Sequence, residues 1–312
     1  MSGPEGWGFT DDRGTELGAA RVPLRVAAYV RAGAALLDLG VAPVAVYGSG
    51  HDGEALDPAK AGGLRAAGVP YLGPGRALDE EALRELRPDV IVDVTYDGKS
   101  PYALDEAVAE RLGIPLVALS VSGELALPAI LARFAALAAS LTPAVREPSA
   151  SEPAGPEPSA SEPAVREPSA SVSETAAGPL PAAPAPDLAA AEALLRSVAA
   201  RGGVAVLALS GAGAEQVHLA RPQAWPELAH LAGLGVRMLD PGPGSGSNWL
   251  TGDWTRVAEL RPDLVLFDDR EHATPPYALP AGVRLAPWSP ETPPSPAAYA
   301  RFFRDLAEAL AA

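Results

Sequence analysis

The sequence predicts an α/β protein with two Rossmann-like lobes, each built on a parallel sheet. A long interlobe helix joins the lobes, and a disordered insert rich in Pro, Ser, Glu and Ala interrupts it. Three observations predict this architecture. One pentapeptide occurs twice, at 85–89 and at 259–263. Apolar runs alternate with amphipathic stretches of helical period, which is typical of parallel sheets covered on both faces. A low-complexity segment separates the two halves.

The repeated pentapeptide is Glu-Leu-Arg-Pro-Asp, and each copy stands between a predicted helix and a predicted buried strand. Apolar residues recur at helical spacing before each copy. The proline then ends the helix, because its ring cannot continue the hydrogen-bond ladder. A run rich in branched side chains follows. Two copies of one helix–strand unit indicate two matched lobes, and we expect a cleft between them.

The first half alternates predicted strands with predicted helices. The predicted strands cover 25–30, 44–47, 69–72, 90–95 and 115–119. The predicted helices cover 32–39, 79–86, 104–112 and 127–141. Asp79 stands where an N-cap is expected, since its carboxylate can accept from the free N–H groups of the first turn.

Residues 143–186 form the clearest boundary in the chain. The unit REPSASEPA occurs at 146–154 and part of it returns at 157–164 and 166–171. Such a composition offers little to bury, so we predict a disordered spacer. The predicted domains are an N-terminal lobe at 1–126, helix parts at 127–142 and 187–201 around the insert at 143–186, and a C-terminal lobe at 202–312.

The second half repeats the alternation of strands and helices. The predicted strands cover 204–209, 236–239, 264–267 and 283–285. The predicted helices cover 187–200, 225–234, 253–260 and 297–311.

Composition limits the classes of function. The formal net charge is −15 at pH 7, which repels phosphate backbones and argues against a nucleic-acid partner. The chain has no cysteine, which excludes disulfides, thiolate metal sites and cysteine nucleophiles. No signal peptide is visible at the start of the sequence, which as it stands predicts a cytoplasmic location.

Short motifs give weaker signals. Residues 48–53 match G-x-G-x-x-G, but Pro58 and the glycines at 62–63 interrupt the helix that dinucleotide binding needs. None of the four histidines pairs at helical metal spacing, so a metal site built from several of them would have to be assembled by the fold. Asp268 and Asp269 are adjacent and therefore point different ways, which makes a poor acid–base pair. We expect no enzyme activity and no cofactor.

Aromatic and charged residues gather just after the predicted strands. Open α/β sheets bind ligands outside the carboxyl ends of their strands, so these residues are candidates for a ligand-binding cleft. The candidates are Tyr29, Arg31, Tyr47, His51, Tyr96, Asp97, Lys99, Ser122, Asp269, Arg270, His272 and Trp288.

The chain resembles the iron–siderophore and vitamin B12 class of ABC-transporter substrate-binding proteins. The stretch 9–48 is similar to the start of that class, with an acidic turn, a strand beginning Arg-Val and a helix ending Leu-Gly-Val. The stretch 83–92 resembles its helix that ends in Pro-Asp before a buried strand. The resemblance extends over about 9–141 and 187–311.

The resemblance implies two lobes joined by a long helix, an extracytoplasmic location and a metal chelate held in the cleft. It also implies one glutamate per lobe that docks to the permease; Glu81 matches the first, and Thr255 stands where the second is expected. We therefore expect a monomer that captures a ferric siderophore for an ABC permease. The alternative is a cytoplasmic enzyme or accessory protein that retains the binding fold without docking to a transporter.

Overall fold

The computed structural model describes residues 6–142, 187–274 and 279–312. The predicted insert at 143–186 lies outside the described residues. The two lobes together form one compact unit. None of the helices that the structure describes combines the length and the apolar character that a membrane-spanning helix requires.

The described part of the chain begins with an antiparallel hairpin of β1 (Trp7–Thr10) and β2 (Glu16–Ala19). Its acidic turn is held by Asp11, whose Oδ1 accepts hydrogen bonds of 2.9 Å from the backbone N–H groups of Arg13 and Thr15. The acidic turn that the resemblance implied is therefore a closed hydrogen-bonded structure.

The first lobe is a five-stranded parallel sheet with helices on its faces. Its strands are β3 (Val26–Tyr29), β4 (Ala45–Gly48), β5 (Tyr71–Pro74), β6 (Val90–Thr95) and β7 (Leu116–Ser120). Its helices are α1 (Val30–Asp38), α2 (Pro58–Ala61), α3 (Glu80–Glu85) and α4 (Glu106–Leu112). The strand order is β5-β4-β3-β6-β7. As predicted, Asp79 caps α3, since its carboxylate accepts from the N–H of Ala82 at 2.9 Å.

Two helices follow the first lobe, α5 (Leu127–Leu141) and α6 (Leu188–Ala199). Buried residues of α5 divide between the two cores: Leu127 and Leu131 pack in the second lobe, and Phe134 and Leu137 in the first. The buried residues of α6 all belong to the second core. That the two helices form one bridge stays a prediction, because the segment between them lies outside the described residues.

The second lobe contains a mixed sheet of six strands. Its strands are β8 (Ala205–Gly211), β9 (Val217–Ala220), β10 (Arg237–Met238), β11 (Trp249–Gly252), β12 (Leu264–Asp268) and β13 (Arg284–Trp288). Its helices are α7 (Pro226–Gly233), α8 (Trp254–Leu260) and α9 (Pro296–Ala311). The main order is β11-β9-β8-β12-β13, and β10 pairs with β8.

The two-lobed α/β architecture is confirmed, but the prediction of two parallel sheets is wrong for the second lobe. β9 runs antiparallel to β8, and β11 runs antiparallel to β9. Neither strand was predicted, because each has four residues and includes a polar or glycine position. A tight connection at 212–216, closed by the N–H of Ala212 donating to the carbonyl of Gln216 at 3.1 Å, reverses the chain.

The two pentapeptide copies form the same turn. Arg87 and Arg261 are the non-glycine residues with positive φ in the described part of the chain, at 45° and 49°. Each stands before the proline, where the right-handed helical conformation is disfavoured. The aspartate of each copy then accepts from the start of a central strand. Asp89 Oδ2 bonds the N–H of Arg25, at 3.0 Å, and Asp263 Oδ2 bonds that of Ala205, at 2.7 Å.

The lobes approach each other closely beside α5. Gly123 lies against the backbone of Ala224, and a Cβ atom on Gly123 would overlap the carbonyl oxygen of Ala224. Glycine is required at this point because the two backbones leave no space for a side chain. The approach places the carboxyl ends of the two central sheets on either side of one cleft.

Candidate functional site

A cavity of about 300 Å³ lies between the lobes. The first lobe lines it with His51, Tyr96 and Tyr102, and the second with Trp225, Trp249, Arg270, His272, Pro290 and Glu291. A cavity of similar volume, about 290 Å³, lies at the opposite end of β8, next to Val204 and Gly235. Ligands of open α/β sheets bind outside the carboxyl ends of the strands, so the interlobe cavity is the candidate site.

The first-lobe wall of the cavity consists of tyrosines. Tyr96 follows β6, and its ring meets that of Tyr102 edge to face, with centroids 4.9 Å apart. Tyr29, at the end of β3, packs behind Tyr102 at 5.7 Å in a similar arrangement. Edge-to-face packing of this kind fixes ring orientation. The first lobe therefore offers a rigid surface with phenol groups at its edge.

The second-lobe wall consists of tryptophans. Trp225 packs edge to face on Trp249 at 4.9 Å and on Trp288 at 5.7 Å. Trp249 and Trp288 are 5.9 Å apart. The indole N–H of Trp225 donates to the carbonyl of Asn248 at 3.1 Å, and that of Trp288 donates to Glu227 at 3.3 Å. Trp225 and Trp249 face the cavity, and the buried Trp288 supports them from behind.

A charged group forms the floor of the cavity. Arg270 makes a two-pronged ion pair with Asp268, with Nε–Oδ1 at 2.9 Å and Nη2–Oδ2 at 2.7 Å. Its Nη1 reaches Glu291 Oε1 at 3.1 Å. The hydroxyl of Ser210 also donates to Asp268, at 2.7 Å. Burial alone would raise the pKa of Asp268, but the hydrogen bonds and charge of Arg270 outweigh it and hold that pKa below its usual range.

Glu291 connects the floor to the first lobe. Its Oε2 pairs with Lys60 Nζ at 2.6 Å and accepts from the Tyr29 hydroxyl at 2.7 Å. Lys60 is fully buried and also pairs with Asp52 at 2.7 Å. Burial would raise the pKa of Glu291, but the charges of Lys60 and Arg270 hold it below the usual value. A continuous chain of buried charges therefore crosses from one lobe to the other.

Arg31 forms a second link between the lobes, behind the tyrosine wall. It is buried, and its guanidinium donates to the Tyr96 hydroxyl at 3.0 Å and to the carbonyl of Thr292 at 3.1 Å. Glu227 of the second lobe is also buried, and burial raises its pKa to about 7 although the Arg31 charge opposes the rise. Arg31 is thus a support of the tyrosine wall.

Two histidines stand at the cavity, one from each lobe. The ring centroids of His51 and His272 are 6.4 Å apart, with 36° between the ring planes, and both residues are exposed. Burial of part of its ring and the charge of Arg270 lower the pKa of His272. No group of three or more His, Asp or Glu side chains in the described ranges is arranged to hold a metal ion.

The structure brings four of the twelve predicted cleft residues together on the cavity surface. They are His51, Tyr96, Arg270 and His272. Four others lie buried behind that surface or in the core of a lobe. They are Tyr29, Arg31, Tyr47 and Trp288. Of these, Tyr47 donates to Asp93 within the first core, at 3.1 Å.

The remaining four predicted residues do not line the cavity. They are Asp97, Lys99, Ser122 and Asp269. Asp97 closes a turn, accepting from the backbone N–H groups of Lys99 and Ser100 at 2.8 and 2.9 Å. These bonds lower its pKa to about 2. Asp97 and Lys99 therefore shape a turn after β6, away from the surface that faces the cavity.

Sequence reasoning missed five lining residues. They are Tyr102, Trp225, Trp249, Pro290 and Glu291. Trp225 precedes a helix, and Trp249 begins the unpredicted strand β11. Glu291 lies in the segment between β13 and α9. None follows a predicted strand directly, so the strand-end rule did not find them; the aromatic character of Trp225 and Trp249 was the available signal.

The predicted docking residue, Glu81, lies on the exposed side of α3 and forms an ion pair with Arg84 on the same helix. Thr255, at the matching position of the second lobe, lies in the first turn of α8 and is exposed. Both positions are exposed, and the role of Glu81 stays a prediction.

No protein-family model matches the chain, and no curated protein matches it. Solved structures do. The chain is similar to DesE, a ferric-siderophore receptor protein from Streptomyces coelicolor, with 24% identity, a TM-score of 0.72 and 98% of each chain covered. It is similar to the siderophore periplasmic binding protein from the fuscachelin gene cluster of Thermobifida fusca, with 14% identity, a TM-score of 0.55 and coverage of 92% of this chain and 96% of that one.

The chain is also similar to RhuT, a periplasmic heme-binding protein from Roseiflexus sp. RS-1. The identity is 16% and the TM-score 0.53, and 92% of this chain and 97% of that chain are covered. These likenesses establish the fold. The chain has the fold of the substrate-binding proteins of the siderophore and heme class, as the sequence resemblance implied.

Proposed function

We propose that this chain is a solute-binding protein that captures a metal chelate, a ferric siderophore, in the cleft between its lobes. The observation that supports this most is the pairing of two aromatic walls, one from each lobe, over a charged floor. Rigid aromatic surfaces contribute large contact area at low entropic cost. A chelator with an apolar backbone around a polar metal centre matches such a cavity.

The charge of the site favours a neutral or cationic complex. Lys60 and Arg270 are the two cations of the floor, and each is paired with two carboxylates: Asp52 and Glu291 for the first, Asp268 and Glu291 for the second. Two cations against three carboxylates leave no surplus positive charge to neutralise an anion. The net charge of −15 adds to this bias.

The charge of the cavity favours a hydroxamate siderophore. Each hydroxamate carries one negative charge, so three of them neutralise Fe³⁺, whereas three catecholates leave a strongly anionic complex. A strongly anionic complex would require unpaired arginines or lysines around it. The lining residues that the structure describes offer only the already paired Arg270.

Heme is the second candidate ligand. The observation in its favour is that His51 and His272 enter the cavity from opposite lobes, since imidazole is a common axial ligand of heme iron.

A tryptophan fluorescence titration tests the proposal. Three of the five tryptophans in the chain form the cluster at the cavity, so a bound iron chelate should quench most of the emission. The probes are a ferric trihydroxamate, a ferric tricatecholate, heme, cobalamin and each iron-free chelator. We expect saturable quenching by the ferric trihydroxamate, and a Soret band shift on heme addition would select heme instead. Absence of saturable quenching by every probe would overturn the binding function.

Transfer to an ABC permease is the remaining part of the proposal, with the chain acting as a monomer. Glu81 is exposed and negatively charged, as docking to permease arginines requires. In a strain whose chelate uptake depends on this chain, Glu81→Lys should reduce uptake and leave the dissociation constant unchanged. Glu110→Lys, on the exposed surface of α4, is the matched control. Equal uptake by the Glu81→Lys variant and the wild type would exclude docking through Glu81.

A further inference from the structure

The two histidines at the cavity have a geometry that capture of a ferric siderophore does not use. His51 lies after β4 in the first lobe, and His272 lies after β12 in the second. Both are exposed, and their ring centroids are 6.4 Å apart. The chain has only four histidines, and the fold brings these two together from positions 221 residues apart in sequence.

This separation is within reach of one metal ion. With metal–nitrogen bonds of about 2.1 Å, two imidazoles that share a metal have ring centroids roughly 5 to 6.5 Å apart, depending on the angle between the bonds. The observed separation of 6.4 Å lies near the upper limit of that range.

Charged groups of both signs surround the two histidines. The Tyr71 hydroxyl, which donates to the carbonyl of Gly53 at 3.0 Å, marks the area next to His51. Burial and the charges of Asp52, Glu54, Asp57 and Glu271 raise the pKa of this phenol. The backbone N–H of Glu271 also donates to Asp57 across the lobes, at 3.2 Å. These four carboxylates act on Tyr71, whereas the cations Arg270 and Lys60 act on His272, so the charge around the two histidines is mixed and the histidine geometry is the basis for a metal site.

We propose that His51 and His272 together bind one divalent transition-metal ion, such as Ni²⁺, Zn²⁺ or Cu²⁺, that bridges the two lobes at the cavity. Imidazole suits these metals, and water completes the coordination because the chain supplies two nitrogen ligands. The ion is free rather than chelated, and its two ligands line the same cavity that holds the chelate in the proposed function. Since each lobe contributes one ligand, an ion held there links the lobes directly.

The first test is calorimetric titration of the full chain with NiCl₂ and with ZnCl₂ in the absence of any chelator. We expect one ion per chain. His51→Ala and His272→Ala should each lower the affinity by about 100-fold, because each leaves a single ligand in place of a pair. The double variant, which has neither ligand, should show no saturable binding. His230→Ala is the matched control, since His230 bonds Glu192 elsewhere in the second lobe.

The second test identifies the ligands directly. The electron paramagnetic resonance spectrum of the Cu²⁺-loaded chain should show coupling to two imidazole nitrogens, and each single variant should show one. The proposal is overturned if either single variant binds Ni²⁺ as tightly as the wild type, or if the Cu²⁺ spectrum of the wild type shows fewer than two nitrogens. No chelate is used in either test, so failure here leaves the proposed chelate function standing, and the converse also holds.

Discussion

The two lobes share one local structure and differ in almost everything built around it. Each copy of Glu-Leu-Arg-Pro-Asp places its arginine in the left-handed conformation and its aspartate on the start of a central strand. Around that turn the first lobe builds an all-parallel sheet, whereas the second adds antiparallel strands. A repeated turn therefore fixes how a helix joins a strand, but it does not fix the sheet.

The difference matters at the cavity. Tyrosines form the wall on the first lobe and tryptophans the wall on the second. Trp249 begins β11, a strand without counterpart in the first lobe. Part of the tryptophan surface thus comes from a strand that is not repeated, whereas Tyr96 directly follows β6, the strand after the first copy of the pentapeptide. The lobes have equal roles in forming a cleft and unequal roles in what they present to a ligand.

The largest expected effect comes from breaking the charged link between the lobes. Glu291→Gln leaves Lys60 fully buried with one carboxylate fewer and removes one of the two partners of Arg270. Removing one partner of a buried ion pair costs about 3 to 5 kcal/mol. We expect the urea midpoint of unfolding to fall accordingly.

Glu271→Gln is the matched control for this loss, because Glu271 is exposed and its side chain makes no ion pair with the described residues. Its unfolding midpoint should equal that of the wild type. A Glu291→Gln variant as stable as the control would mean that contacts other than this network hold the lobes together.

A second comparison concerns one buried carboxyl group in each lobe. Burial raises the pKa of Glu227 to about 7 and that of Asp93 to about 6. For Glu227 the folded state binds the proton more tightly than the unfolded chain, whose value is 4.5. Stability from this group is therefore fully present below about pH 4.5 and is lost as the pH rises through about 7.

Glu227→Gln should remove that loss. The stability of the variant minus that of the wild type should grow with pH, from near zero at pH 4.5 to roughly 3 kcal/mol at pH 8. Urea unfolding at several pH values measures it. A difference that does not change with pH would show that Glu227 titrates normally.

Asp93→Asn should respond in the opposite direction although the pKa shift has the same sign. The Asp93 carboxylate accepts from the N–H groups of Val94, Ala103 and Leu104, at 2.7 to 3.3 Å. An amide nitrogen in place of one oxygen faces these donors, which costs about 1 to 3 kcal/mol. Destabilisation at pH 7 is the expected result, and a variant more stable than the wild type would contradict it.

The contrast between these carboxyls shows what a sequence can and cannot predict here. Helices, strands and the Asp79 cap follow from short-range patterns, and so does the turn at each Pro-Asp. Tyr47 also obeys the strand-end rule, yet its ring enters the core, where its hydroxyl meets Asp93. Strand position predicts the edge of the sheet that a residue approaches, but not the direction in which its side chain points.

The charged floor was beyond prediction for a different reason. Lys60 and Glu291 are 231 residues apart, and their pairing depends on how the lobes meet. The antiparallel strands were missed because four residues with polar or glycine positions resemble a loop. What the sequence predicts is therefore the cleft, together with those lining residues that directly follow long apolar strands.

The unequal walls give a third prediction, which rests on the proposed function. Trp249→Ala should weaken ferric trihydroxamate binding by about 2 kcal/mol, or roughly 30-fold, because large aromatic contacts dominate binding sites. Tyr102→Phe should change affinity less than threefold, since the ring stays. Competition with a fluorescent chelate measures both. Trp254→Phe, whose ring packs in another cluster of the second lobe, is the control and should bind as the wild type does.

The smallest expected effect on stability concerns the repeated turn. A non-glycine residue in the left-handed conformation costs about 1 to 2 kcal/mol, a cost that glycine avoids. Arg87 and Arg261 both adopt that conformation and both are exposed. The glycine variant at either position should therefore be more stable than the alanine variant at the same position by about 1 kcal/mol, after the larger entropy of the unfolded glycine chain offsets part of the gain.

The comparison with alanine removes the guanidinium from both variants, so that urea unfolding reports the backbone alone. If the gain is equal at the two positions, the turns are equivalent and the lobes differ only in what surrounds them; a gain at one position only would mean that the surrounding sheet, parallel in one lobe and mixed in the other, already alters the turn.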